Sequence, residues 1–365
     1  MNVTGKLFTL WNRSGKNDPM KHLLILTLLA AGCTSKVAVT KTYQPTAIKL
    51  PDKYNSPDGM ALGKDGCIYV AMNNAGEDFK FKFPAKIVRI TAKDKIEEVS
   101  DLPKHPETGV ASPLGICFGS DGNLYVADNQ MFATTKRGMS RLLRVNMDGN
   151  KAKNIEVVAT GLNIANGVTA RGDAIYICDT TLDEESPMTS GVYRFALSEL
   201  KGASPLHVTG KGDPHLIFTL KTKNTTHKVG ANGIAFDPRG NLYVCNFGDI
   251  EIWKLTLDAS GKVVSSSVFV KGGGLESVDG LQCDPQGNLW VADFLGNAIA
   301  CIPTRTGQVN IIAKNTVSDG AYGELDAPSE CIRRGDKVYV SNIDITYGPN
   351  KADNVHTISV IDLSK

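Results

Sequence analysis

One phrase recurs along the chain: a short apolar strand, a turn that contains glycine, and a second strand that contains an aromatic residue. The clearest copies are "SPLGICFGSDGNLYVADNQ" at 112–130, "GANGIAFDPRGNLYVCNFGD" at 230–249 and "SVDGLQCDPQGNLWVADFLGN" at 277–297. The aromatic residue of the second strand recurs six times, as Tyr69, Tyr125, Tyr176, Tyr243, Trp290 and Tyr339. Self-similarity at an interval of roughly fifty residues is typical of a repeat architecture.

The strands that follow each copy predict the fold. Every copy continues with a third strand of alternating or apolar character, and five copies continue with a fourth. Six four-stranded units at this spacing are typical of a β-propeller. The sixth copy ends at Lys365 without a fourth strand, whereas "TAIKLP" at 46–51 precedes the first copy. We therefore predict an all-β, six-bladed propeller over 46–365, in which this N-terminal strand closes blade six and removes an open sheet edge.

The charge balance limits the partners. The chain has 40 basic and 38 acidic residues, which gives a net charge of +2, and neither sign forms a long run. Nucleic-acid-binding proteins normally carry a basic stripe or patch, so we expect no nucleic-acid partner. We expect instead a small-molecule substrate and a monomeric protein.

The N-terminal residues resemble a bacterial lipoprotein signal. "MKHLLILTLLAAGC", from Met20 to Cys33, has a basic start, an apolar run too short to span a bilayer, and small residues before a cysteine. An ordinary buried helix is the alternative. We predict an upstream extension and signal over 1–33 (the signal being 20–33), a lipidated Cys33, a tether over 34–45, and membrane contact only through this anchor at the bacterial cell envelope. An intact mass showing an uncleaved, unlipidated chain would contradict this prediction.

The residue before the first glycine of each copy varies. In a propeller the innermost strands ring a central tunnel, so these residues converge on one axis. They are Asp58, Leu114, Asn166, Asn232, Asp279 and Pro328. Four of the six carry carboxylate or amide oxygens, which suit a hard divalent cation, Ca²⁺ first, with Zn²⁺, Mg²⁺ and Mn²⁺ as alternatives. The competing interpretation is that Asp-Gly and Asn-Gly are merely favourable turn sequences.

With these residues in place, the chain resembles the SMP-30/gluconolactonase family of six-bladed propellers, which includes sugar lactonases and the squid-type diisopropylfluorophosphatase. The closest stretch is "VDGLQCDPQGNLWVA" around Asp279, and "PSECI" at 328–332 is similar to the family's last-blade phrase. The resemblance implies that Asp58, Asn166, Asn232 and Asp279 surround a divalent ion. Asp58 stands where the family usually has Glu. Many sugar lactonases of the family carry an Arg and an Asn-Asp pair in blade three, where this chain has Ile164 and Asn166-Gly167, so aldonolactone specificity is in doubt.

These residues predict a metal-dependent hydrolase of a lactone or related ester. The cation would polarise the carbonyl oxygen, and Asp279 is the candidate for both ligand and proton acceptor. Two alternatives remain open. A non-catalytic binding propeller of the NHL type shares the "GIAFDPRGNLYV" cadence but does not need the oxygen-bearing quartet, and a lyase or synthase similar to strictosidine synthase shares the fold.

Further polar residues are candidates for substrate contact. One polar residue begins the loop after each second strand, and five of these are predicted to be substrate-binding or, for most, strand-end caps: Asn73, Asp128, Asp179, Asn246 and Asp293. His227 is a sixth candidate, as an acid or base, with an exposed loop histidine as the alternative. Long loops in blades one, two, three and six are expected to wall the pocket.

Overall fold

The six repeats form six antiparallel sheets, each a blade of a β-propeller. The computed structural model describes residues 42–76 and 79–365. Blade one contains β2 (Pro57–Leu62), β3 (Ile68–Met72), β4 (Lys86–Ile90) and β5 (Ile96–Asp101). Blade two contains β6 (Pro113–Phe118), β7 (Leu124–Asp128), β8 (Ser140–Asp148) and β9 (Lys151–Leu162). Blade three contains β10 (Ala165–Arg171), β11 (Ala174–Asp179), β12 (Met188–Ala196) and β14 (Leu216–Thr222). Blade four contains β15 (Ala231–Phe236), β16 (Leu242–Asn246), β17 (Glu251–Leu257) and β18 (Val263–Lys271). Blade five contains β19 (Leu281–Cys283), β20 (Asn288–Asp293), β21 (Ala298–Pro303) and β22 (Asn310–Lys314). Blade six contains β23 (Pro328–Arg334), β24 (Lys337–Asn342), β25 (His356–Asp362) and β1 (Thr46–Leu50).

The N-terminal strand closes the ring. β1 pairs antiparallel with β25, with Thr46 opposite Val360 and Leu50 opposite His356. The last blade therefore takes its outer strand from the start of the propeller and its other three from the end of the chain. This arrangement confirms the predicted closure, because β1 pairs with the outer side of β25, which would otherwise be an open sheet edge.

The recurring aromatic residue is explained by a hydrogen bond to the turn before it. In four blades the tyrosine hydroxyl or tryptophan indole donates to the carboxylate of the turn aspartate, at 3.0–3.4 Å: Tyr69–Asp65, Tyr125–Asp121, Tyr243–Asp237 and Trp290–Asp284. The same aspartates accept a backbone N–H within the turn. Each phrase thus encodes an aspartate that closes its own turn and also anchors a buried ring between two blades.

Two features were not predicted from the sequence. A short strand, β13 (Leu206–His207), adds to blade two by pairing parallel with β9, although it comes from the chain between β12 and β14. The end of the predicted tether also contacts the propeller, because the Tyr43 backbone N–H donates to the Ile312 carbonyl at 2.9 Å. The predicted signal and Cys33 lie outside the described residues. Within the described part of the chain, no helix has the length and apolar character needed to cross a membrane.

Candidate functional site

Five glycines let the blades meet at the centre of the propeller. A Cβ atom added to any of them would lie 2.3–2.5 Å from a backbone carbonyl oxygen of the next blade: Gly59, Gly115, Gly167, Gly233 and Gly280. None of the five has a positive φ. Glycine is therefore required here for close approach of neighbouring backbones. The turn explanation for the Asp-Gly and Asn-Gly pairs is wrong, because these glycines lie where first strands meet.

Blade six departs from this pattern, and the prediction that Pro328 is its hub residue is wrong. In blade one Pro57 lies opposite Met72, and in blade six Pro328 lies opposite Asn342 at the same register. The position of Asp58 is thus held by Ser329. The following position, glycine in the other five blades, is held by Glu330, whose Cα lies 2.7 Å from where a Cβ on Gly280 would be.

The structure brings the four predicted ligands to one cavity. Asp58, Asn166, Asn232 and Asp279 line a single cavity of about 160 Å³ at the hub. The Asn232 side chain hydrogen-bonds to Asp279, and the Ser329 hydroxyl hydrogen-bonds to Asp58. Four side chains that are far apart in the sequence thus form the polar floor of one site.

The orientation of the Asn166 amide follows from its neighbours. The Thr180 hydroxyl donates to the Ala231 carbonyl at 2.7 Å, so its oxygen must accept from the Asn166 Nδ2 group at 3.2 Å. The amide nitrogen is therefore occupied, and the Asn166 carbonyl oxygen is the atom left to accept from, or coordinate, a ligand.

The electrostatics of the floor favour a cation. Burial raises the pKa of Asp58 to about 7, which the hydrogen bond from Ser329 partly opposes. Burial, then the charges of Asp58 and Glu330, raise the pKa of Asp279 well above its usual value. Among the described residues, none of the groups that act most strongly on the pKa values of Asp58, Asp279 and Glu330 is a lysine or arginine, although Lys228 lines the same cavity. A donor set of two carboxylates and two amides fits a hard divalent cation, which would supply the missing positive charge.

Glu330 is the hub residue that the sequence interpretation missed. Its carboxylate accepts the Cys331 backbone N–H at 3.0 Å and faces the Gln282 amide at 3.4 Å. Burial, followed by the charge of Asp58, raises its pKa to about 8. The available signal was the sixth phrase itself, in which "PSE" stands where the first has "PDG".

Apolar side chains wall the cavity above this floor. They are Leu114, Met131, Phe132, Ile164, Val229, Phe247, Phe294, Ile343, Ile345 and Tyr347. Blades two and six contribute to these walls as expected. Blades four and five also contribute, through Phe247 and Phe294, so their short loops do not leave the rim open. None of the described residues of the blade-one loop lines the cavity.

Comparison with known proteins finds a family match over part of this chain. Residues 220–316, which include Asn232 and Asp279, match the SMP-30/gluconolactonase/LRE-like region. The predicted resemblance to that family is confirmed. No curated protein matches the chain in sequence.

Three solved structures illustrate the proteins that this chain resembles in fold. A luciferin-regenerating enzyme is 15% identical with a TM-score of 0.56, over 87% of this chain and 95% of that one. A gluconolactonase from Xanthomonas campestris is 15% identical with a TM-score of 0.54, over 88% and 96%. The calcium-binding protein regucalcin from Agrobacterium tumefaciens strain C58 is 14% identical with a TM-score of 0.53, over 88% and 94%. At these identities the likeness shows the fold alone.

Five polar residues predicted to contact substrate lie apart from the cavity of this SMP-30-like propeller. Asn73, Asp128, Asp179, Asn246 and Asp293 are at most 1% exposed, and none lines the cavity. Asp179 accepts the Asn163 and Ile164 backbone N–H groups, and Asp128 pairs with the buried Arg141, both within their own blade. Asn73 and Asn246 instead bond to a neighbouring blade. This placement favours the strand-end capping role, which the sequence also allowed, over substrate contact.

His227 does not line the cavity but lies behind Tyr347, which does. Its Nδ1 atom is 3.2 Å from the Tyr347 hydroxyl, and the two rings meet edge to face at a centroid distance of 5.5 Å. Tyr347 itself lines the cavity, and burial, followed by the charge of Asp279, raises the pKa of its hydroxyl. Tyr347 is therefore the group through which His227 faces the cavity. The sequence did not indicate Tyr347, because it lies in an irregular loop outside the repeat.

The buried carboxylates of Asp58 and Glu330 at the hub predict an unusual pH dependence of stability for the metal-free protein. The folded-state pKa values of Asp58 (about 7) and Glu330 (about 8) lie above the unfolded values of about 3.9 and 4.3. Between these limits the folded chain binds more protons than the unfolded chain, so the free energy of unfolding falls as pH rises from about 4 to about 8. Thermal unfolding in EDTA across this range measures the effect. Glu330→Gln should flatten the profile, and a stability that rises through the window would contradict the prediction.

Proposed function

We propose that this protein is a metal-dependent hydrolase of a lactone or related ester that acts at the hub of the propeller. The observation that carries the proposal is the floor of the cavity, where two buried carboxylates meet two amides. A pure docking surface has no need of such a set. The family match and the gluconolactonase and regucalcin folds support the same conclusion.

Asp58, Asn166, Asn232 and Asp279 would hold the cation, with Ca²⁺ favoured by the all-oxygen donor set. When bound, the cation supplies Lewis acidity toward the carbonyl oxygen of the substrate. Asp279 accepts the proton of the attacking water, because one of its carboxylate oxygens can face solvent while the other faces the floor. Asn232 orients Asp279 by the hydrogen bond between them. Thr180 fixes Asn166 with its carbonyl oxygen toward the ligand.

The walls of the cavity indicate the kind of ester. Ten of the lining residues are apolar or aromatic, and the polar lining residues outside the floor are Asn129, Thr180 and Lys228. A polyhydroxylated sugar lactone would leave many hydroxyl groups against these walls without partners, which is costly. The cavity of about 160 Å³ is also small beside typical ligand pockets of about 300–1,000 Å³. We therefore propose a compact lactone or ester that carries an alkyl or aryl substituent.

A substrate panel tests the proposal. Purified protein, stripped with EDTA and then supplied with Ca²⁺, should hydrolyse alkyl- or aryl-substituted lactones and esters faster than an aldonolactone. EDTA should remove the activity, and Ca²⁺, Mn²⁺, Mg²⁺ and Zn²⁺ added separately should identify the supporting ion. Protein that binds Ca²⁺ but hydrolyses nothing in the panel would support the binding-propeller alternative, and hydrolysis unaffected by EDTA would overturn the metal mechanism.

A further inference from the structure

A second group of carboxylates lies in blade six, apart from the residues that line the central cavity. Asp326 precedes β23, Asp344 follows β24, and Asp353 precedes β25. Each offers an oxygen atom, and these atoms lie within 4.8 Å of one another. Asp326 and Asp344 are only 1% and 3% exposed, so these are buried charges and not a solvated acidic face.

One unpartnered buried atom at this place points to a ligand. The Asp326 Oδ2 atom has no hydrogen-bond partner among the described residues, and the residue is only 1% exposed. The Nδ1 atom of His356 lies 3.4 Å from the Asp344 Oδ2 atom, within ion-pair distance of that carboxylate. Buried polar atoms in folded proteins are nearly always satisfied, and the binding of an ion is one of the recognised reasons for an apparent exception.

No lysine or arginine of the described chain compensates the two most buried carboxylates. The charged groups that act on Asp326 are the carboxylates of Asp344, Asp353 and Asp319. Asp344 faces the Asp353 carboxylate and the imidazole of His356, whereas its Oδ1 atom accepts the Asp353 backbone N–H at 3.0 Å. Like charges packed this closely in a buried place are unfavourable unless protonation or a bound cation neutralises them.

We propose that Asp326, Asp344 and Asp353 form a second divalent-cation site, which binds Ca²⁺. Ligand oxygens lie at about 2.3–2.6 Å from Ca²⁺, so two of them can be no more than about 5 Å apart. The three carboxylate oxygens meet this condition, because they lie within 4.8 Å of one another. The three carboxylates offer only oxygen, which suits Ca²⁺ better than the nitrogen- and sulfur-preferring Zn²⁺.

The position of this site gives it a structural consequence for the central cavity. The chain between Asp344 and Asp353 carries Ile345 and Tyr347, which wall that cavity. A cation bound by Asp326, Asp344 and Asp353 would tie both ends of this loop to the start of β23. The second site would thus hold one wall of the central cavity in place without touching the substrate.

Calcium binding by the full chain tests the site. After EDTA treatment and dialysis, Ca²⁺ alone is titrated calorimetrically into wild type, Asp326→Asn, Asp344→Asn and Asp279→Asn. We expect each variant to bind one fewer Ca²⁺ per chain than wild type, and Asp326→Asn combined with Asp279→Asn to bind none. Asp173→Asn, which removes an exposed carboxylate from blade three, should bind as wild type does.

The variants separate this site from the central one. Unchanged Ca²⁺ stoichiometry in folded Asp326→Asn and Asp344→Asn would overturn the blade-six site even if Asp279→Asn loses its ion. Loss of an ion in the blade-six variants alone would support the site and leave the proposed hydrolase without its metal. If Asp326→Asn does not fold, Asp344→Asn decides, because an asparagine oxygen can still accept the Asp353 N–H. Circular dichroism of each metal-free variant confirms folding before titration.

Discussion

Asp279→Asn is expected to abolish hydrolysis and to remove the stabilisation that Ca²⁺ gives through the central site. Asp279 is proposed both as a ligand and as proton acceptor, and asparagine keeps its shape but loses the charge and the basicity. Loss of the proton acceptor alone should lower kcat by about 10²–10⁴-fold. Loss of the ligand should remove about 2.7 kcal/mol of the stability that Ca²⁺ provides at 100 times its Kd. Ester hydrolysis and thermal unfolding with and without Ca²⁺ measure the two effects.

The metal-free state distinguishes a lost site from a damaged fold. Burial and the charges of Asp58 and Glu330 disfavour ionised Asp279, so removing its charge should leave the metal-free variant at least as stable as wild type near pH 8. Asp173→Asn serves as the charge-matched control and should retain full activity. A variant that keeps wild-type turnover and wild-type Ca²⁺ stabilisation would exclude the proposed role of Asp279.

The repeated phrases made the fold and the quartet predictable. Each blade places its first residues at the hub by the same backbone geometry, so side chains at one repeat position must converge wherever they lie in the sequence. Asp58, Asn166, Asn232 and Asp279 were found in this way, and they do line one cavity. The repeat determines positions along the strands, and these four residues lie at or just before the start of the first strand of their blades.

Blade six was misaligned by one residue because its phrase lacks the strand glycine. With Glu330 at the glycine position, the alignment of "PSE" with "PDG" was the one sequence signal that Ser329, and not Pro328, is the hub residue. The pairing of β23 with β24 decides it, since the bulge after Pro328 leaves Cys331 opposite Val340, as Met60 lies opposite Val70 in blade one. Register of this kind depends on hydrogen bonds between strands, which a single phrase does not show.

Residues carried by irregular loops could not be placed from the sequence. Tyr347 reaches the cavity, and Asp344 and Asp353 reach Asp326, through a segment that follows no repeat. Conversely, Asp179 and Asp293 occupy the same position in their repeats and were considered as substrate contacts. Backbone N–H groups donate hydrogen bonds to both carboxylates instead. An aspartate at this strand end accepts backbone N–H groups of its own blade, because the buried N–H groups there need an acceptor.

Gly233→Ala is expected to produce the largest loss of stability among single methyl additions at the hub. The new Cβ would lie 2.3 Å from the Asp279 carbonyl oxygen and 2.6 Å from the Leu281 nitrogen, both of which are backbone atoms. Since neither can rotate away, blades four and five must separate, which also strains the hydrogen bond of 3.0 Å from the Gly233 N–H to Asp279. We expect a loss of about 3 kcal/mol or more in the free energy of unfolding, measured by urea denaturation.

The same substitution should weaken the central cation site, because Asn232 and Asp279 flank the contact that has to open. Gly202→Ala is the matched control: its φ is −63°, it is exposed, and its added Cβ would meet nothing closer than 3.4 Å. That variant should unfold within about 0.5 kcal/mol of wild type. If Gly233→Ala matched it in both stability and Ca²⁺ affinity, the hub would tolerate blade separation. The close approach of backbones would then not be what holds the four ligands together.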